Sequence, residues 1–136
     1  MQWLVNREAI ILTNRININI WNRNFTLTVE YDCYSGEQIT KSQEDALNCF
    51  IKNEELINKS NEIVKKYCKK NVNEDYSNQK KDNIFSYLMP DYIFVKREDN
   101  PRVALMCKYK YDLEHGLAII FDMNGKITVG LQDIIL

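Results

Sequence analysis

Isoleucine and asparagine alternate from Ile16 to Ile20, and after a short polar break Phe25, Leu27, Val29 and Tyr31 alternate with Thr26, Thr28 and Glu30. A period of two places alternate side chains on opposite faces of an extended chain, so both stretches read as half-buried strands with one face in the core and one in water. Asn22, Arg23 and Asn24 between them predict the turn of a hairpin. Glu8 to Leu12 is short and apolar and reads as a preceding strand, suited to a sheet edge. Ser35 and Gly36 end or bend the second strand.

The period changes at Thr40. Thr40-Lys41-Ser42-Gln43 matches a capping box, in which the Thr hydroxyl accepts from the backbone of Gln43 and the Gln side chain reaches back. Beyond it Leu47, Phe50, Ile57, Val64 and Cys68 fall on one side of a helix, widened by Ala46, Ile51, Ile63 and Tyr67. A helix from 41 to about 70 is long for a chain of 136 residues, which predicts a break near Asn58-Lys59-Ser60-Asn61. Lys65, Lys66, Lys69 and Lys70 complement the dipole at its C-terminal end. Asn71 to Lys81 shows no apolar period and reads as a loop.

Strand signals return after a short helix over Ile84 to Leu88 that stops before Pro90. Tyr92 to Lys96 is extended, and three strands follow: Val103 to Tyr111, Leu117 to Asp122, and Lys126 to Leu131. Asn124-Gly125 marks a tight hairpin between the last two, since both residues tolerate positive φ. The expected fold class is α+β, a single domain over 1–136 in which an antiparallel sheet ending in a β-meander packs against one major helix.

Composition narrows the function classes. Eighteen basic residues against 19 acidic ones leave a net charge of -1, which gives no general reason to expect nucleic acid or an anionic membrane. No apolar run approaches the length of a spanning helix and no leader pattern opens the chain, so a cytoplasmic protein is expected. Cys33, Cys49, Cys68 and Cys107 are widely spaced without a C-x-x-C pair, and are expected to be small buried hydrophobes. Four dispersed glycines form no phosphate loop, and neither G-x-S-x-G nor H-E-x-x-H occurs. No cofactor and no catalytic residue is assigned.

One polar constellation remains. The only histidine, His115, lies between Asp112, Glu114 and Gly116, and Gln132-Asp133 closes a later apolar run. If the last three strands pair as a meander, the chain reverses at 112–116 and again at 123–125, which returns Gln132 and Asp133 to the first turn and leaves Asn124 and Gly125 at the far end. Three uses fit such a rim. Asp112 accepts backbone N–H groups in an Asx turn while Gly116 supplies a positive φ and His115 or Gln132 ties loops together; or its charges recognise a basic protein partner; or Asp112, Glu114, His115 and Asp133 serve a divalent metal or acid-base chemistry. Glu114 and His115 converge only in an irregular turn.

Asp112-x-Glu114-His115-Gly116-Leu117, then Gly125-Lys126 and Val129-Gly130-x-Gln132-Asp133, resembles the C-terminal signature of an uncharacterised bacterial domain family, with Tyr111 where that family often has Trp. The match covers roughly the last 45 residues, and more loosely Ile39-Thr40 with Gln43 and Pro90. Small domains of this kind are similar in size and setting to immunity proteins of toxin systems. That likeness implies a neutralising partner of a toxin domain, and the lack of catalytic motifs points the same way, to a non-enzymatic interaction module. The alternatives left by the residues themselves are a small metal-dependent enzyme using the 112–133 cluster and a purely architectural domain. Oligomeric state is left open.

Overall fold

The alternating stretches pair as read, but around a tighter turn. In the computed structural model, which describes residues 15–33, 36–71 and 83–136, β1 (Arg15–Ile20) and β2 (Arg23–Tyr31) run antiparallel with Arg15 opposite Thr28 and Ile20 opposite Arg23. Only Trp21 and Asn22 connect them, at φ 51° and 68°. Two left-handed residues match the twist of the flanking strands. A left-handed non-glycine residue costs about 1–2 kcal/mol, and Trp21 offsets this by burying its ring and donating Nε1–H to the Ile57 carbonyl (3.0 Å) and Ser60 Oγ (3.2 Å). The expected strand Glu8 to Leu12, Ser35, and the expected loop beyond Asn71 lie outside the described residues.

The helical region is two helices, a correction to the single major helix. α1 (Lys41–Lys52) begins at the Thr40 capping box, with both reciprocal bonds present. It stops at Asn53, and α2 (Glu54–Asn71) starts at once. Asn53 Oδ1 accepts from the backbone of Leu56 (3.1 Å), while Glu54 and Glu55 occupy the positive end of α2. The predicted break at Asn58–Asn61 does not occur: Ser60 is fully buried in mid-helix, where it receives Trp21.

The remaining strands are β3 (Leu88–Val95), β4 (Val103–Tyr109), β5 (Leu117–Phe121) and β6 (Ile127–Gly130). Strand order in the sheet follows chain order, and neighbours are antiparallel except β2 and β3, which run parallel from Thr28 opposite Tyr92 to Tyr31 opposite Val95. Both helices sit in the connection between those two strands. The short helix before Pro90 is a single 3-10 turn, Ile84–Ser86, capped by Asn83. Pro90 itself belongs to β3, but β2 pairs only from Tyr92 onward, so the missing N–H forfeits no bond on that side.

An 18-residue helix is about 27 Å long, and six strands span about 24 Å. α2 accordingly meets both outer strands, β1 and β6. The helices cover one sheet face, where Leu47, Phe50, Ile57, Val64 and Cys68 pack with Ile93, Leu105 and Ile119. Ala104, Met106, Ala118, Ile120 and Ile135 form a second buried cluster on the other face. That explains the unbroken apolar runs of β4 and β5, since strands buried on both sides lose the alternation seen in β1 and β2.

Two further expectations are corrected. Cys68 and Cys107 are buried, but Cys49 is exposed and Cys33 half-buried, all four as free thiols. Ala46, Leu47 and Phe50 turn α1 inward and leave Cys49 on the outer side. At the β5–β6 turn only Gly125 has positive φ (83°). The loop is Met123-Asn124-Gly125, held by Asp122 Oδ1 accepting from the backbones of Asn124 (2.8 Å) and Lys126 (2.9 Å).

Candidate functional site

Strand order brings the 112–116 turn and the segment after β6 to the same end of the sheet, with Asn124 and Gly125 at the other. Asp112 organises the turn. Its main-chain oxygen accepts from the Gly116 backbone (2.9 Å), its Oδ1 accepts from the His115 backbone (3.2 Å), and its two carboxylate oxygens lie 2.9 and 3.0 Å from His115 Nδ1. The hydrogen bond to Asp112 raises the pKa of His115, and its counterpart lowers that of Asp112; Glu114 and Asp133 add smaller Coulombic pulls on the imidazole.

The second segment is tied to the first through Gln132. The Gln132 backbone donates to the His115 carbonyl (3.3 Å), and Gln132 Nε2 donates to the carbonyl of Cys107 at the end of β4 (3.1 Å). Gly116 makes this possible. Its φ is +64°, and a Cβ there would lie 2.6 Å from Gln132 Nε2. Gly130 plays the same spatial part for Ile134, whose Cδ1 would stand 2.6 Å from an added Cβ. Gly116 thus makes room for Gln132, and Gly130 for Ile134, at two neighbouring points of the same end of the sheet.

Behind the turn lies an aromatic floor. Tyr109 and Tyr111 meet edge to face at 5.6 Å, and Tyr87 lies 6.0 Å from Tyr111. Lys110 places its Nζ 5.9 Å from the Tyr111 ring. The Tyr109 hydroxyl is buried against the Cys68 thiol at the inner side of α2; burial pushes Cys68 up to about 11 and Tyr109 well above the usual phenol range. Neither group is poised to ionise at neutral pH.

Of the predicted residues, Asp112, His115 and Gln132 are joined by hydrogen bonds. Glu114 and Asp133 stand exposed beside them and act on His115 through charge alone. Among the described residues no three His, Cys, Asp or Glu side chains converge as a metal ion requires, so the geometry lends nothing to the metal-dependent alternative. Sequence reasoning overlooked the apolar members of this rim. Among the described residues the large apolar side chains left exposed are Leu113 (77%), Met123, Ile134 and Leu136 (64%). Three of these four belong to the two segments of the rim. The signal was available for Leu113, which stands between Asp112 and Glu114 in a turn too short to bury it.

Residues 3–136 match the model of a family described as a domain of unknown function, DUF6985. The chain belongs to the DUF6985 family. No curated protein and no solved structure matches it. Because the DUF6985 match runs almost from end to end, the hairpin, the helical connection and the closing meander all fall within the family's span. Among the described residues of this DUF6985 chain no helix is long and apolar enough to cross a membrane.

Proposed function

We propose that this chain is a non-catalytic interaction module that binds another protein through the rim made by residues 112–116 and 131–136. The observation that carries this reading is the concentration there of exposed apolar side chains, Leu113, Ile134 and Leu136, flanked by Asp112, Glu114 and Asp133. Exposed apolar side chains edged by polar groups characterise recognition surfaces, and acidic flanks select a partner with basic residues. Backbone bonds from Gly116 to Asp112 and from Gln132 to His115 hold both segments in place before a partner arrives. Such preorganisation lowers the entropic cost of association.

In its most concrete form the partner is a bacterial toxin domain and this chain is its immunity protein, confined to the cytoplasm with the toxin's target. The size of the domain and the absence from its sequence of any motif for catalysis support that form. The test is co-expression of the tagged chain with the product of the neighbouring gene. A protein that kills when expressed alone, is harmless with this chain, co-purifies at one to one, and is no longer retained by Leu113→Asp would support it. A neighbour that does not kill, or retention unchanged by Leu113→Asp, overturns it.

A further inference from the structure

The opposite end of the sheet carries two adjoining hollows that the rim does not use. The smaller, of about 110 Å³, lies between the α1–α2 corner and the sheet; Phe50, Leu56, Val103 and Phe121 are among its apolar lining, and Cys49 and Asn53 stand at its edge. A cavity of about 150 Å³ takes a benzene ring, so this notch is the right size for one aliphatic side chain. The larger, of about 450 Å³, is polar and is walled by Glu98, Asp99, Asn100, Arg102, Asp122 and Asn124. Asp122 and Met123 line both hollows, so the two adjoin in a groove stepped at these residues.

Charge in the larger hollow is not balanced. Arg102 is committed to Glu98 through Nε at 2.7 Å and NH2 at 3.2 Å. Lys96, just after β3, is ion-paired with Asp32 (3.5 Å) and adds only a weak pull on Glu98. Asp99 is exposed at the mouth with no ion-pair partner among the described residues, and Asp122, whose Oδ1 accepts from the Asn124 and Lys126 backbones, feels only the more distant charge of Arg102. Met123, half exposed at the boundary, is a flexible thioether that adapts to what lies against it. We propose that this groove docks an extended segment of a protein partner bearing an aliphatic side chain, which enters the notch, next to an arginine or lysine, which faces Asp99 and Asp122. The site stands apart from the rim at 112–116 and does not depend on the function proposed for it.

The test uses the full chain labelled with nitrogen-15 and three blocked hexapeptides: Gly-Ser-Leu-Arg-Ser-Gly, the same peptide with Glu in place of Arg, and the same with Ser in place of Leu. The first is expected to shift the amides of Cys49, Asp99, Met123 and Asn124 in a saturable way, and the other two to bind at least about fivefold more weakly. Asp99→Lys, at an exposed position, should weaken the first peptide by a similar factor, whereas Leu113→Asp at the far rim should leave it unchanged. Equal shifts from all three peptides, shifts confined to residues 112–116, or none up to about 10 mM would overturn the proposal.

Discussion

Gln43 is the fully buried polar side chain in which the helical layer and the sheet are tied together, and it offers the sharpest test of the fold. Nε2 donates to the main-chain oxygens of Asp32 and Val95, each at 3.1 Å, and Oε1 accepts from the Thr40 backbone at 3.0 Å. One amide thus caps α1 and joins it to the ends of the parallel pair β2 and β3. Each such bond contributes about 1 kcal/mol net, so Gln43→Met, which keeps the volume and removes the polar atoms, should cost about 3 kcal/mol. In a chain of this size that lowers Tm by roughly 9–15 °C.

Gln43→Glu separates hydrogen bonding from packing. The carboxylate still accepts from Thr40, but its second oxygen faces two carbonyl oxygens instead of donating to them. Repulsion and burial raise the folded-state pKa of the introduced carboxyl above its unfolded value of about 4.3. A group raised on folding contributes stability below its unfolded pKa and loses it as pH rises through the folded one. The variant should therefore be closest to the parent near pH 4 and fall progressively behind toward pH 8, the reverse of ordinary acid destabilisation. Urea unfolding at several pH values reads both effects. A loss under about 1 kcal/mol for Gln43→Met, or a pH-independent gap for Gln43→Glu, would refute the assignment of these bonds.

Gly116→Ala should cost more than Gly125→Ala: both strain a positive φ by about 1–2 kcal/mol, but only the former meets Gln132 and breaks its bond to Cys107, seen as loss of protection of the Gln132 side-chain amide in proton-exchange NMR. His115→Ala should remove a stabilising term that is present below the ordinary histidine pKa and lost as pH rises through the raised one; the matching effect on Asp112 disappears as pH falls through its depressed pKa, so the gap in Tm between parent and variant should be widest at pH 5–6 and shrink by pH 8–9. With a small aromatic disulfide reagent, Cys49 should react at once, whereas Cys68 and Cys107 should wait for unfolding; fast modification of all four thiols would contradict the burial described.

Periodicity made the architecture legible wherever an element has one wet face. Ile16 to Ile20, Phe25 to Tyr31 and the helix stripe from Leu47 to Cys68 all point inward in the structure. Competing local signals hid the helix break. Asn58 and Asn61 resemble a break, but Asn53 followed by Glu54 and Glu55 is the better capping sequence, and Ser60 is kept in the helix by a tryptophan that lies 39 residues earlier. No local pattern distinguishes a parallel from an antiparallel neighbour, so the pairing of β2 with β3 was not readable. The rim was readable as a meeting of 112–116 with Gln132 and Asp133 because a meander has one geometric outcome. Of its exposed apolar side chains only Leu113, set between two acids in a short turn, carried a signal; Ile134 and Leu136 did not, since an apolar letter in sequence suggests core until the fold shows otherwise.

The lone parallel pairing has a consequence for how the chain reaches its fold. β1 with β2, and β3 through β6, are each built from neighbours in sequence and can zip without waiting for distant residues. Their union within the sheet rests on four residue pairs, Thr28 with Tyr92 to Tyr31 with Val95, whose partners are 64 positions apart. Closing so long a loop is the slow, entropically expensive event, yet its cost grows only by about 0.6 kcal/mol for each doubling of length. Relatives can therefore gain or lose residues between α2 and β3 with little penalty, whereas a slip of one residue along that short seam would turn Val29 and Tyr31 out of the core and undo both halves at once.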